Sequence, residues 1–398
     1  MKKIYYGKAI YDNKEINAVL SVLKNDSLSL IDGKKVKVLE KKISNIFGKK
    51  YGLMVNSGSS ANLLALSSLK FKKGSEIITP NLTFSTTVAP IYQLGLIPHF
   101  VGVEENKFIA DPTQIEKCIN KKTVALMIPN LLGNIADWKK INKIAKKYKL
   151  KIIEDSADTI GYSVHKKNLG KLSDITTNSF YASHIINGAG TGGIVCFNDH
   201  NSYQRAKLLR GWGRSSATFN ESEEISKRFN VKISGIDYDA KYIFSDMGYN
   251  FLPSEISAAF ALEQIKKLKK NVQVRNKNFK YLEKFFKKFN NFFNLPEQYA
   301  AVKTPWLAFP LVIKKNKLFD RKKMQIYFEK NNIQTRTIFT GNILRQPAMK
   351  NRYHKKHNNC ESIANDVMKN GILIGCHQGM NKRQLDYICN TFLKFIKQ

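Results

Sequence analysis

Three short stretches of this chain hold side chains whose types and spacing suit chemistry. Asn56-Ser57-Gly58-Ser59-Ser60-Ala61-Asn62 follows an apolar run and opens a helical pattern. Small residues there let a ligand approach the backbone, and the N–H groups of a helix N-terminus bind phosphate. The same stretch also suits an ordinary serine-rich helix cap. Ile152-Ile153-Glu154-Asp155-Ser156-Ala157-Asp158 puts a carboxylate at the end of a strand. That is where α/β sheets bind ligands, and such a carboxylate can keep a heterocyclic nitrogen protonated in an electron-sink cofactor. Asp155 as a plain helix cap is the competing reading. Ser179-Phe180-Tyr181-Ala182-Ser183-His184, followed by Ile185-Ile186-Asn187-Gly188-Ala189-Gly190-Thr191-Gly192-Gly193, sets a histidine on a polar, glycine-rich turn between two strands. A lone histidine serves structure as well as catalysis.

The elements that must position these residues alternate. Apolar runs at Gly52–Val55, Glu76–Thr79, His99–Val103, Val124–Ile128, Lys151–Glu154, Asn178–Tyr181 and Gly193–Phe197 read as strands separated by helical stretches. That rhythm predicts an α/β domain with a mostly parallel sheet. Asn13–Leu23 and Val36–Phe47 read as amphipathic helices before it. Ser215–Tyr242 breaks the rhythm and reads as a long functional loop. Pro253–Phe293 reads as a long helix with a lysine-rich face. A smaller α/β unit follows, with strands at Trp306–Ile313 and Ile333–Arg336 and helices at Asp320–Lys330 and Lys382–Ile396. The expected division is therefore a large domain over 1–250 and, over 251–398, the long helix with a small C-terminal domain.

Composition narrows the classes. With 398 residues, 43% of them apolar, the chain can bury a sizeable core. No apolar run approaches the roughly 18 residues of a membrane span, and Met1–Ile10 does not read as a signal peptide. The formal charge of +35 invites a nucleic-acid reading. Its lysines are scattered over polar helix faces, however, so we expect a solvated surface and no nucleic-acid partner. Cys118, Cys196, Cys360, Cys376 and Cys389 are odd in number and widely spaced. They suggest neither a disulfide framework nor a metal site, and a cytoplasmic protein is expected.

Together, in this order and spacing, the three stretches resemble the DegT/DnrJ/EryC1/StrS family of sugar aminotransferases, which has the type I pyridoxal-phosphate fold. The likeness covers nearly the whole chain, including Gly248-Tyr249-Asn250 and Phe339-Thr340-Gly341-Asn342. In most of that family a lysine four residues after the Ser-Phe pair tethers the cofactor. Here that position is His184, and no lysine lies between Lys171 and Lys207. A histidine there resembles the nucleotide-sugar 3-dehydratase branch. Trp306-Leu307-Ala308-Phe309-Pro310 and Gly341-Asn342-Ile343-Leu344-Arg345-Gln346-Pro347 add to the likeness. One kind in that branch carries a four-cysteine iron–sulfur centre soon after an Arg-Gly-Trp-Gly-Arg stretch. Arg210-Gly211-Trp212-Gly213-Arg214 has that wording, but no cysteine lies between Cys196 and Cys360. The likeness in chemistry is to the other kind, which has no iron–sulfur cluster and takes its amino group from glutamate. Thr191 departs from the family, which has an acidic residue before Gly-Gly, and one residue is inserted after His184.

The resemblance implies a cofactor that alternates between pyridoxal 5'-phosphate and pyridoxamine 5'-phosphate. It implies L-glutamate and a nucleotide-diphospho-4-keto-6-deoxy sugar as substrates, and a 4-keto-3,6-dideoxy sugar as product. His184 would be general base and then general acid, roles that an imidazole of pKa about 6.5 can fill. Gly58 and Ser59 would take the phosphate, Asp155 the pyridinium and Phe84 the ring face. Asp158 would lie near the ring hydroxyl, and Ser179 would assist. Asn250 would reach the phosphate in a partner subunit, so a homodimer with shared active sites is implied. No metal and no membrane partner are expected. A lysine-dependent sugar aminotransferase and an inactive nucleotide-sugar-binding homologue are the alternatives. GDP, CDP and dTDP, and hexose and heptose, stay open.

Overall fold

The computed structural model describes residues 2–25, 30–164, 169–218, 224–300 and 302–397. The alternating pattern condenses into one eight-stranded sheet. Its order is Tyr51–Val55, Gly193–Phe197, Ile175–Ser179, Lys151–Asp155, Thr123–Pro129, Glu76–Pro80, Ile97–Val101 and Lys355–Lys356. Gly193–Phe197 runs antiparallel to both its neighbours. The other pairings are parallel. Parallel strands with helices on both faces are buried on both faces, and Glu76–Pro80 and Ile175–Ser179 are buried at every residue.

Two strands of the large sheet are shifted from the sequence reading, and in the small unit the strands expected at Trp306–Ile313 and Ile333–Arg336 shorten to Phe309–Ile313 and Thr335–Arg336. The run expected at His99–Val103 forms two residues earlier, at Ile97–Val101. The run expected at Asn178–Tyr181 forms at Ile175–Ser179. Thr176, Thr177 and Asn178 look like loop residues, yet all are buried. Their side chains bond to Glu154, Asn62 and the Ser156 carbonyl, so each side chain finds a partner inside the sheet, with Asn178 Oδ1 left unpaired among the described residues. The segment Ser215–Tyr242 lies partly outside the described residues. Within the rest, a short helix at Ile225–Phe229 and a hairpin of Val231–Ile233 with Ile236–Tyr238 interrupt the expected loop.

The C-terminal unit has an antiparallel sheet ordered Phe293–Asn294, Phe309–Ile313, Gly371–Ile374 and Thr335–Arg336. Phe286, Phe293, Phe309, Phe319 and Phe392 pack together behind it. The long helix spans Glu255–Phe286 and serves two cores. Ala258 and Ala261 sit with Met54 and Ile128 in the large-sheet core, while Phe279 and Leu282 sit with Phe309 in the small one. The expected division between 250 and 251 precedes this helix but is crossed by its packing into both cores. It is crossed again by Ile4, buried in the small core, and by Lys355–Lys356 at the large sheet's edge.

The helix N-termini carry their own signals. Asp12 and Glu15 form a capping box on Asn13–Lys24. Glu255 accepts the N–H groups of Gly33, Lys35 and Val36 at 2.8–2.9 Å, and so caps Lys34–Phe47 from across the chain. No helix among the described residues is long and apolar enough to cross a membrane.

Candidate active site

Strand registers bring the three chemical stretches to one place. Gly193 pairs with Val55 on one side and Ser179 on the other, and Asp155 pairs with Thr177 and Pro129. The ends of these strands open into a cavity of about 1300 Å³. Gly58, Ser59, Phe84, Asp155, Asp158, Ser179 and His184 all line it.

Ser57 caps the helix Gly58–Ser67 by accepting the Ser60 N–H at 3.1 Å. The first-turn N–H groups at Gly58 and Ser59 have no intrahelical acceptor. A Cβ at Gly58 would stand 2.6 Å from Ser179 Cβ, and one at Gly193 would stand 2.4 Å from the Ser57 carbonyl carbon. Only glycines allow this helix terminus to seat against the strand ends, and the result is a cradle of backbone donors for an anion.

Asp155 is buried beside this cradle. Its Oδ2 accepts Asn62 Nδ2 and Thr87 Oγ1, each at 2.8 Å, and its Oδ1 accepts the Ala157 N–H at 3.1 Å. Among the described residues no basic side chain pairs with it. Burial pushes its pKa up, against the pull of those donors. Asn62 is itself held by Thr177, whose hydroxyl donates to Asn62 Oδ1 at 2.7 Å. Asn62 lies in the first chemical stretch and Thr87 just beyond Phe84, and neither is assigned this work from sequence. Their polarity at buried helical positions was the available signal.

His184 and Asp158 form the second cluster. His184 Nδ1 lies 3.3 Å from the Ser179 carbonyl. A carbonyl only accepts, so Nδ1 carries the proton and the lone pair is on Nε2. Nε2 lies 3.6 Å from Asp158 Oδ1, and Asp158 Oδ2 accepts the Leu132 N–H at 3.0 Å. Burial pushes Asp158 up to about 7. Burial also pushes His184 down to about 4; the Ser179 carbonyl opposes this and the charge of Arg275 adds to it. The imidazole is 15% exposed, at the cavity wall.

The remaining walls come from both units. Phe84 is half-exposed, with the Phe339 ring edge-on at 6.0 Å. Tyr6 and Arg336, which sequence reasoning did not single out, also line the cavity. Thr340 donates to the Thr83 carbonyl at 2.7 Å, and Asn342 donates to Glu361 and Asn365. The Phe339–Asn342 stretch therefore fastens the small unit to the cavity wall. Thr191 donates to the Asn56 carbonyl at 2.6 Å and closes the glycine turn.

Two quoted stretches lie elsewhere. Arg210 is buried and bonds to Asp32, Glu40 and the Met54 carbonyl, while Arg214 stacks on Trp212. Asn250 is exposed and does not line this chain's cavity. All five cysteines are buried and free. Among the described residues, no lysine lines the cavity.

The model of the DegT/DnrJ/EryC1/StrS aminotransferase family matches residues 9–393. The GDP-4-keto-6-deoxy-D-mannose 3-dehydratase of Escherichia coli O55:H7 is 33% identical over 392 residues, covering 95% of this chain and 96% of that protein. The lipopolysaccharide biosynthesis protein RfbH of Salmonella typhimurium is 33% identical over 369 residues, covering 89% and 84%. Among solved structures, the E. coli GDP-4-keto-6-deoxy-D-mannose 3-dehydratase with bound hydrated PLP matches with a TM-score of 0.86 at 30% identity. That match covers 98% of this chain and 100% of the other. The sheet, the strand-end site and these matches agree, and the chain belongs to the DegT/DnrJ/EryC1/StrS aminotransferase family.

Proposed function

We propose that this chain is a 3-dehydratase working with pyridoxal and pyridoxamine 5'-phosphate. Its substrate is a nucleotide-linked 4-keto-6-deoxy sugar and its amino donor is L-glutamate. Its product is a 4-keto-3,6-dideoxy sugar for a surface polysaccharide. One observation carries the reading. His184 lines a cavity that has an anion cradle and two buried carboxylates, and among the described residues no lysine lines it. Relatives named as 3-dehydratases point the same way.

The residues fit the cofactor on two counts. The Gly58 and Gly193 contacts leave no room for a side chain at the cradle, as a phosphate seat needs. Asp155 is a buried carboxylate with three hydrogen-bond donors and, among the described residues, no basic partner, as a pyridinium site needs. When bound, the cofactor supplies an electron sink for breaking C–H and then C–O bonds.

Everything else falls to the protein. Gly58 and Ser59 would hold the phosphate with Ser179 beside them, and Asp155 would keep the ring nitrogen protonated. Phe84 offers an aromatic surface to the ring. His184 presents a free Nε2 lone pair at neutral pH, because its pKa lies well below that of free imidazole. It takes a proton as base. Once protonated it is a strong acid, ready to give that proton to the departing C3 hydroxyl. Asp158 steadies the imidazolium in between.

The second copy implied at Asn250 has support nearby. Trp212, Tyr242, Phe244 and Met247 are exposed apolar side chains, with Met247 92% exposed. Trp212 donates its N–H to the Tyr249 carbonyl at 2.7 Å, so this patch adjoins Asn250. We infer a homodimer through this face, and, from the buried free thiols, a cytoplasmic setting.

The test is direct. The protein is incubated with pyridoxal phosphate, L-glutamate and a GDP-linked 4-keto-6-deoxy sugar, with CDP- and dTDP-linked analogues in parallel. Ammonia, 2-oxoglutarate and a sugar lighter by one oxygen are expected in equal amounts. An aminated sugar without ammonia establishes the aminotransferase reading. Binding of the nucleotide sugar without turnover establishes an inactive homologue.

A further inference from the structure

Arg275 carries a charge that the reaction above does not use. It lies within the long helix and is 0% exposed. Its Nε donates to Gln378 Oε1 at 2.7 Å, and its Nη1 donates to the carbonyls of Trp306 and Leu307 at 3.2 and 3.0 Å. Among the described residues Nη2 has no partner and no carboxylate pairs with the guanidinium. Burying an uncompensated cation is costly, and an apolar side chain of similar volume is often the more stable choice. A residue kept for packing alone has no need of the charge.

A continuous chain of contacts runs from Arg275 to His184. Leu307, whose carbonyl Arg275 holds, donates its own N–H to the Leu132 carbonyl at 2.8 Å. Leu132 donates its N–H to Asp158 Oδ2 at 3.0 Å, and Asp158 Oδ1 faces His184 Nε2 at 3.6 Å. The middle links are peptide groups, which have little freedom to adjust. Leu132 has φ +60°, a left-handed conformation that leucine adopts only when its surroundings impose it. The surroundings are visible: a Cβ at Gly133 would stand 3.0 Å from the Leu307 nitrogen. The turn is pressed against Leu307, and Leu307 is held by Arg275.

We propose that Arg275 is a positioning residue for His184. It acts through Leu307 and Leu132 to set the Asp158 carboxyl against Nε2, and its charge disfavours a second cation on the imidazole. The proposal rests on His184 being the base. Asp158 faces the imidazole from the turn after its strand, and Arg275 acts on it from the long helix. Tyr181 faces it edge-on at 5.8 Å from its own loop. Tyr6 and Arg336 share the cavity, and His377 feels the charge of Arg275. Burial is the larger influence on His184 and Arg275 works in the same direction.

The test compares Arg275→Met with the wild type. Histidine NMR on the cofactor-free protein follows the His184 titration, with His184→Asn assigning its signal among the seven histidines. The His184 midpoint should rise in Arg275→Met. In the loaded enzyme kcat should fall about tenfold or more with KM little changed, as a displaced base requires. An unchanged midpoint together with wild-type kcat overturns the proposal. Should Arg275→Met fail to fold, Arg275→Lys decides: it keeps the charge but cannot span both carbonyls, so a wild-type kcat there overturns the proposal too. If the wild type itself shows no dehydration, the functional reading has failed. The NMR titration then still tests the positioning chain by itself.

Discussion

Asp155 and Asp158 leave the same strand three residues apart and meet opposite treatment. Asp155 has three donors on its two oxygens, and one of them, Asn62, is braced by Thr177. Asp158 has one backbone donor and a histidine at 3.6 Å, beyond hydrogen-bond range. The first arrangement holds a charge still. The second leaves a carboxyl and an imidazole whose pKa values move in opposite directions, to about 7 and about 4, so that both favour neutrality between those values. A group that must take up and release a proton is left under-bonded beside its supporting carboxyl, whereas a group that must stay ionised is surrounded by donors.

The comparison breaks first at His184. His184→Asn keeps polarity and size but loses usable proton affinity, so dehydration should fall by about 10²–10⁴-fold. Bound cofactor, followed by its absorbance, should stay near wild type, because its holding groups lie on the Asp155 side. Loss of cofactor in parallel with activity would mean that the two sides are one unit.

Asp155→Asn should come next. It removes the charge and turns an acceptor into a donor facing Asn62 and Thr87. Turnover should fall by about 10²-fold, the scale for losing a preorganised electrostatic contact. Cofactor affinity should fall as well, measured by equilibrium dialysis, and that distinguishes this variant from His184→Asn.

Asp158→Asn sharpens the contrast through stability. The folded carboxyl titrates near 7 and the unfolded one near 3.8. Between those values the folded state keeps a proton that the unfolded chain has released. Stability of the cofactor-free protein therefore drops as pH rises through this window, by on the order of 4 kcal/mol once complete. The asparagine variant escapes that cost. Its melting temperature should exceed the wild type's most clearly at pH 8, and the gap should close toward pH 4. A gap independent of pH would show that Asp158 is not held proton-bound.

How much of this was legible in the sequence follows the same divide. Gly58, Asp155 and His184 stand on local signals, namely small residues opening a helix, a carboxylate ending an apolar strand and a histidine in a glycine turn. The cavity brings them together. The strand Ile175–Ser179 was misplaced because its polar residues find partners distant in sequence, such as Asn62 for Thr177. Asn62 and Thr87 gained their roles only when two helices met one strand end. Arg275 was hidden in a helix whose other basic residues read as a solvated face. No local pattern distinguishes a buried arginine from an exposed one when its acceptors are the carbonyls of residues 306 and 307.

Asn250 extends the comparison to a wall that one chain does not supply. It is exposed and absent from its own cavity, yet it adjoins the apolar patch around Trp212 and Met247. If it reaches the phosphate cradle of a second copy, Asn250→Ala should weaken cofactor affinity by about tenfold, the scale of one lost hydrogen bond to a charged group. This is the smallest of the four effects, and by itself it does not distinguish a distant contact from a local disturbance. Subunit mixing does. In a hybrid of His184→Asn and Asn250→Ala chains, shared sites put both defects into one cavity and leave the other intact. Each parent homodimer carries one defect in both cavities. At cofactor concentrations where both parents are impaired, the mixture should therefore regain activity that neither shows alone. If Asn250 served its own chain's cavity, every site in the hybrid would carry one defect, and mixing would give only the average of the parents.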